Sequence, residues 1–303
     1  MIIANPIYDV VFKRLMENDK VAKFFIGTLL EETIEAVEVK PQEFTYIDEL
    51  AGLAVFRLDF IATIKTETGE YKKILIEIQK AKNPIDLMRF RSYLAEQYKK
   101  EDKINNENVV LPITTIYILG FKLPEIETSC IKVERNYKDL INKITLANKS
   151  EFVERLTHDS YVVQVGRISN RYQTRLDKLL SVFEQRNFID DKEIIKEYHH
   201  EPDTDEITII TDILHYVGTD PKEKKKIETE QEAWRTVNAM FEEKERKFQK
   251  AMEVQRVALE VQRIALEEQR IVLEEQKIVL SEKDQALNEK DKLIAELLSK
   301  LNE

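Results

Sequence analysis

Asp59, Glu77 and Gln79 are the residues whose types and spacing could do chemistry. Asp59 is the single acid in the apolar run 53–64, and Glu77 and Gln79 lie two residues apart in the run 73–81. Side chains on an extended chain alternate between faces. Phe56, Leu58, Phe60, Ala62 and Ile64 therefore share an apolar face and leave Asp59 on the other. Likewise Ile74, Ile76 and Ile78 share a face and leave Glu77 and Gln79 together opposite. Thr66-Glu67-Thr68-Gly69-Glu70, between the runs, is a polar turn signal of hairpin length. Pairing the two strands brings an aspartate beside a glutamate and a glutamine. Two carboxylates converging in an apolar setting repel each other unless a cation lies between them. The chemistry to expect is that of a bound divalent ion, which polarises a phosphate ester and acidifies water. An ordinary amphipathic sheet with a solvent-facing polar surface shows the same alternation.

The flanking elements must hold these strands in place. Residues 19–30 carry Val21, Phe24, Phe25, Thr28 and Leu29 at helical spacing, with Asp19 as the expected N-cap. Residues 34–47 are rich in β-branched and aromatic side chains and predict a strand pair or one long bent strand. Asn83-Pro84 opens a helix running to about Lys100, with proline in the first turn where it is tolerated. Residues 109–121 predict a buried strand ended by Gly120 and Pro124, and residues 130–137 an edge strand. From 138 to 217 the pattern turns helical, with an apolar face from Tyr172, Leu176, Leu179, Leu180 and Phe183.

Asp59, seventeen intervening residues and then Glu77-Ile78-Gln79-Lys80 resemble the catalytic signature of the PD-(D/E)XK nuclease superfamily. Within it the chain is similar to the recombination-promoting nuclease (Rpn) and transposase-like families. Ile7-Tyr8-Asp9-Val10-Val11-Phe12-Lys13 resembles their N-terminal motif, and Met88-Arg89-Phe90-Arg91-Ser92-Tyr93 their arginine-and-tyrosine helix. Phe152-Val153-Glu154-Arg155-Leu156-Thr157-His158-Asp159-Ser160-Tyr161 is similar to a segment these proteins carry further on. The patches cover roughly the first 160 residues.

The resemblance implies an α/β fold with a restriction-endonuclease-like core, αβββαβ, over residues 1–140. It also implies a DNA endonuclease dependent on Mg2+ or Mn2+, linked to recombination or mobile elements. Asp59, Glu77 and the main-chain carbonyl of Ile78 would hold the ion, and Gln79 would position a water. Asp9 would serve as an additional outer carboxylate or as a helix cap. Arg89 and Tyr93, four residues apart on one helix face, either contact a phosphate or support the strand. Two positions depart from the pattern: Leu58 stands where the motif has proline, and Gln79 where it has lysine. Glutamine orients a water but neither takes its proton nor supplies positive charge. Lys80 points to the opposite face of a regular strand unless a bulge returns it.

Composition bounds the alternatives. The chain has 303 residues, a net charge of −10 and one cysteine, Cys130. That length suits one sizeable core plus an extension. A lone cysteine excludes an intramolecular disulfide framework and fits a reducing cytoplasm. No apolar run is long enough to span a bilayer and no secretory signal is apparent, so a cytoplasmic protein without a membrane partner is expected. The net charge argues against a general salt-driven nucleic-acid binder. Basic residues do cluster locally, at Lys72, Lys73, Lys80, Lys82, Arg89, Arg91, Lys99 and Lys100. His158, His199, His200 and His215 lack zinc-site spacing, and no glycine-rich phosphate loop is present.

Residues 141–220 are expected to form a small helical subdomain and 221–303 a long helix. In the latter, Val254-Gln-Arg-Val257-Ala-Leu259-Glu260 begins a seven-residue repeat that recurs to Ser281. Such a repeat predicts a coiled coil and a homo-oligomer. Three apolar positions per heptad spread wider than one narrow seam, however. The competing class of function is a catalytically degenerate nuclease-fold scaffold that binds DNA or a partner and oligomerises through this helix.

Overall fold

The computed structural model describes residues 1–48, 53–80 and 84–301, apart from the side chains of 41–48, 53–59, 84–86, 89, 237, 241, 244, 245 and 296–301. Two compact units divide it, 1–235 and 236–303.

A short strand, β1 (Ile2–Ala4), leads into α1 (Asp9–Met16) and α2 (Asp19–Leu30). Asn18, rather than Asp19, caps α2: its side-chain oxygen accepts from the Val21 amide at 3.2 Å. Three antiparallel strands follow: β2 (Ile34–Asp48), β3 (Leu53–Thr66) and β4 (Tyr71–Gln79). Residues 34–48 are thus one strand, with a bulge between Ile34 and Ala36. The turn joining β3 to β4 closes through Gly69 at φ 85°, a left-handed conformation that favours glycine. Next come α3 (Pro84–Lys99), the small hairpin of β5 (Asp102–Ile104) and β6 (Glu107–Val109), and β7 (Ile113–Leu119). Asn83, the expected cap of α3, lies outside the described residues. The expected strand at 109–121 is shorter: Val109 ends the small hairpin and β7 begins only at Ile113.

The segment expected to be helical is corrected in part. After β8 (Cys130–Val133) and the β9 (Tyr137–Lys138) and β10 (Thr145–Leu146) pair comes the short α4 (Glu151–Leu156), then the strand β11 (His158–Gln164). β11 lies inside the central sheet, parallel to β7 and antiparallel to β8. The sheet is mixed and six-stranded, in the order β2-β3-β4-β7-β11-β8. Alternation along β11 buries Tyr161 and Val163 on the core face, and pairing with β7 outweighs any helical tendency of the run. α5 (Arg175–Ser181), β12 (Ile195–Glu197, paired with β1) and α6 (Asp205–Thr219) complete this part. Leu179, Leu180 and Phe183 belong to the same core as the sheet.

That core lies on one face of the sheet. Phe60, Ala62 and Ile64 of β3, with Ile74, Ile76 and Ile78 of β4, meet Val11 and Phe12 of α1 and Phe24 and Phe25 of α2. Phe12 packs edge-on against Phe25 and Phe60, with ring centroids 5.3 and 5.1 Å apart. A smaller cluster of Leu75, Tyr93 and Ile113, with Ile61 and Leu94, fills the other face beneath α3.

The last element is α7 (Pro221–Leu301), 81 residues long. Pro221 stands at its first position and the Asp220 carboxylate accepts from the amides of Lys222 and Glu223. In the second unit the repeat's apolar side chains are exposed, among them Val257, Leu259, Ile264 and Leu266. No described helix is long and apolar enough to cross a membrane.

Candidate functional site

β4 carries the candidate residues because its sequence alternates. Ile74, Ile76 and Ile78 drive one face into the main core, which forces Leu75, Glu77 and Gln79 onto the face covered by α3. Glu77 is 0% exposed and Gln79 8%. The parallel register sets Glu77 beside Tyr117 of β7, whose ring meets Phe90 of α3 at 4.7 Å between centroids. Burial, and secondarily the negative charge of Glu77, push the Tyr117 hydroxyl up to about 12. Tyr117 was not among the expected site residues, since only the β4–β7 register makes it a neighbour of Glu77.

Asp59 belongs to β3, but its side chain lies outside the described residues. Its backbone position is informative. The β3–β4 ladder runs from Lys65 opposite Tyr71 to Phe60 opposite Ile76. One further step on that register sets position 59 against position 77. The Gly120 amide donates to the Gln79 carbonyl at 2.7 Å, so the peptide groups of odd-numbered residues at this end of β4 face β7. By alternation the Ile78 carbonyl faces the β3 side. Glycine is required at position 120, because a Cβ there would lie 2.7 Å from the Lys80 carbonyl oxygen.

Lys80 belongs to the opposite side. It follows Ile78 in parity, and its ammonium pairs with Glu230 of α7 and lies 4.0 Å from the centre of the Tyr8 ring. It also sits over Trp234 at 5.3 Å. The same Glu230 carboxylate accepts from the amides of Asp9 at 2.9 Å and Val10 at 3.1 Å. It thereby caps α1, whose own N-cap residue, Tyr8, makes no side-chain cap bond. Asp9 is buried at the first position of α1, its amide tied into this Lys80–Glu230 cluster. Glu230 was missed because 150 residues separate it from Lys80 and no local pattern marks it.

Tyr93 is buried against Leu75 and Ile113 in the second cluster, so it packs on the same face of β4 that carries Glu77 and Gln79. The side chain of Arg89 lies outside the described residues. The local group of basic residues is largely answered by acids. Lys72 pairs with Glu32, Lys73 with Asp102 at 2.8 Å, and Lys99 with Glu96 at 3.3 Å.

The available donors at this end of β4 are the Glu77 carboxylate, the Gln79 amide and the Ile78 carbonyl, with an aspartate at position 59. All are oxygen donors, the set that Mg2+ and Mn2+ accept, and the burial of Glu77 away from the aliphatic core fits a cation there. Among the described residues, which exclude the Asp59 side chain, no three His, Cys, Asp or Glu side chains come together to hold a metal ion. Comparisons with protein-family models, curated proteins and solved structures gave no match.

Proposed function

We propose that the chain is a metal-dependent DNA endonuclease of the PD-(D/E)XK type, built on an αβββαβ core and linked to recombination or mobile elements. One observation carries this: Glu77, fully buried, shares a strand face with Gln79 on the side away from the main apolar core, and continuing the β3–β4 register one step beyond Phe60–Ile76 sets it opposite position 59.

Asp59, Glu77 and the Ile78 carbonyl would hold Mg2+ or Mn2+. When bound, such an ion supplies polarisation of the scissile phosphate and a more acidic water. Gln79 orients the attacking water by hydrogen bonding and leaves its proton to solvent or to a phosphate oxygen. Tyr117, kept protonated at neutral pH, presents a hydroxyl donor beside Glu77. Lys80 serves the opposite side of the sheet by holding Glu230, so the lysine place of the motif is filled by Gln79 alone.

The decisive test is incubation of the purified chain with plasmid DNA under Mg2+, Mn2+ or EDTA, beside Asp59→Ala and Glu77→Ala. Cleavage by the wild type with metal, and by neither variant, is expected. Identical traces in every buffer for all three proteins reject catalysis.

The second reading, a catalytically silent nuclease-fold scaffold, draws on Gln79 in the lysine position and on the exposed apolar repeat of α7. In either case we infer a homo-oligomer joined through residues 236–303. Light scattering of the full chain against a version ending at Arg235 tests this, because that cut spares Glu223, Glu230 and Gln231, which bond to the body. Equal stoichiometry for the two would remove the helix from assembly.

A further inference from the structure

Lys196 of β12 is the most deeply buried lysine described, at 2% exposure. Its backbone is pinned on both sides, by Ile3 of β1 and by a bridge to Phe188. Its ammonium donates to the Glu184 carbonyl, and among the described residues no carboxylate lies within ion-pair distance. Burying a cation without a counter-charge is costly, and burial alone lowers this amine from its ordinary value to about 7. An ammonium has three donors, and one is used here.

Lys196 lines a cavity of about 210 Å³ together with Ser181, Arg186, Asn187, Tyr198, His199 and His200. Of the carboxylates around this cavity, Glu184 pairs with Arg186, and Glu197, 3.8 Å from His199, is more than half exposed and screened by solvent. Ser181 and Tyr198 share a hydrogen bond of 2.9 Å, and His200 is stacked on Tyr172 at 4.4 Å, so the walls are held in place. Among the described residues, the charged and titratable groups around Lys196 are Glu184 and Arg186 from the segment after α5, Glu197 from β12, Tyr198, His199 and His200 beyond it, and the Met1 amine, which donates to the Tyr198 carbonyl at 3.0 Å. The volume is below the roughly 300–1,000 Å³ of pockets for drug-sized ligands. It suits a tetrahedral oxyanion.

We propose that this cavity is a binding site for a small tetrahedral oxyanion, a phosphate or sulfate group, with the Lys196 ammonium as its principal counter-charge. The site is separate from the β4 site and does not depend on nuclease activity. Anion binding restores the missing counter-charge and so favours the protonated amine, and affinity falls as pH rises through the range in which the buried amine loses its proton.

Calorimetric titration of the full chain with inorganic sulfate, against chloride at equal ionic strength, tests the site. Sulfate does not itself titrate between about pH 7.5 and 9, where ordinary histidines are already neutral. The expected result is saturable binding that weakens over this interval, with proton uptake seen as a dependence of the heat on buffer. Lys196→Gln abolishes it, Lys196→Arg keeps binding but loses the pH dependence, and Glu77→Ala leaves it unchanged. Sulfate indistinguishable from chloride on the wild type overturns the proposal, as does undiminished binding by Lys196→Gln. Should Lys196→Gln fail to fold, a crystal of the wild type grown or soaked with sulfate decides: an anion bound within hydrogen-bond distance of the Lys196 ammonium supports the proposal, and a cavity without one overturns it.

Discussion

The two faces of β4 are built from neighbouring residues of one strand and serve opposite ends. Ile74, Ile76 and Ile78 meet the largest apolar cluster of the molecule, while Leu75, Glu77 and Gln79 meet a small cluster under α3 in which polar groups are buried as well. On the first face the three isoleucines join a cluster of aliphatic and aromatic side chains, and burial is favourable at each position. On the second, a fully buried carboxylate is retained where an apolar residue would pack at lower cost. It is on this costly exception that the proposed site rests.

Substitutions on the two faces should separate accordingly. Glu77→Ala removes the central oxygen donor and should lower metal-dependent cleavage roughly a thousandfold, equivalent to about 4 kcal/mol of transition-state stabilisation. A plasmid nicking assay reads this directly, and retained cleavage would break the contrast. Ile76→Ala, one residue away on the other face, should instead cost about 2–4 kcal/mol in urea unfolding and leave the cleavage rate of the folded fraction unchanged.

Glu230→Ala sharpens the contrast at the end of the strand. It leaves two α1 amides uncapped and Lys80, with 13% of its side chain exposed, without its carboxylate. A loss of roughly 2–3 kcal/mol is expected in the same unfolding measurement. A fall in cleavage at full stability would instead move Glu230 and Lys80 into the active site. The smallest effect belongs to Gln79→Lys, which supplies the charge and proton-handling that the amide lacks. It should raise turnover about tenfold, and unchanged turnover would mean that water activation is not limiting.

Much of the fold was legible in the sequence. Alternation in 53–64 and 73–81 located two strands and assigned their faces, because period-two burial is a strong local signal. The long terminal helix was equally plain, since its seven-residue repeat holds no glycine or proline. β11 was not, because His158–Gln164 becomes a strand only by pairing with β7, some 45 residues earlier in the chain. The same limit applied to Asn18, where two adjacent residues are both good caps and geometry chose between them. The shared face of Glu77 and Gln79 could be read directly, whereas Tyr117 beside Glu77, and Glu230 with Lys80 on the opposite side, could not.

What the sequence determined by itself was periodic: which side of each strand is apolar, where the turn falls, and that Glu77 and Gln79 share a face. These follow from side-chain geometry within a single element. Only the tertiary structure decided that Glu77 lies wholly buried beside Tyr117, that Lys80 turns to Glu230 rather than to Glu77, and that the Lys196 ammonium has no ion-paired carboxylate among the described residues. Each of these depends on contacts between residues far apart in the chain, and no local pattern encodes which distant groups will share a cavity or a charge.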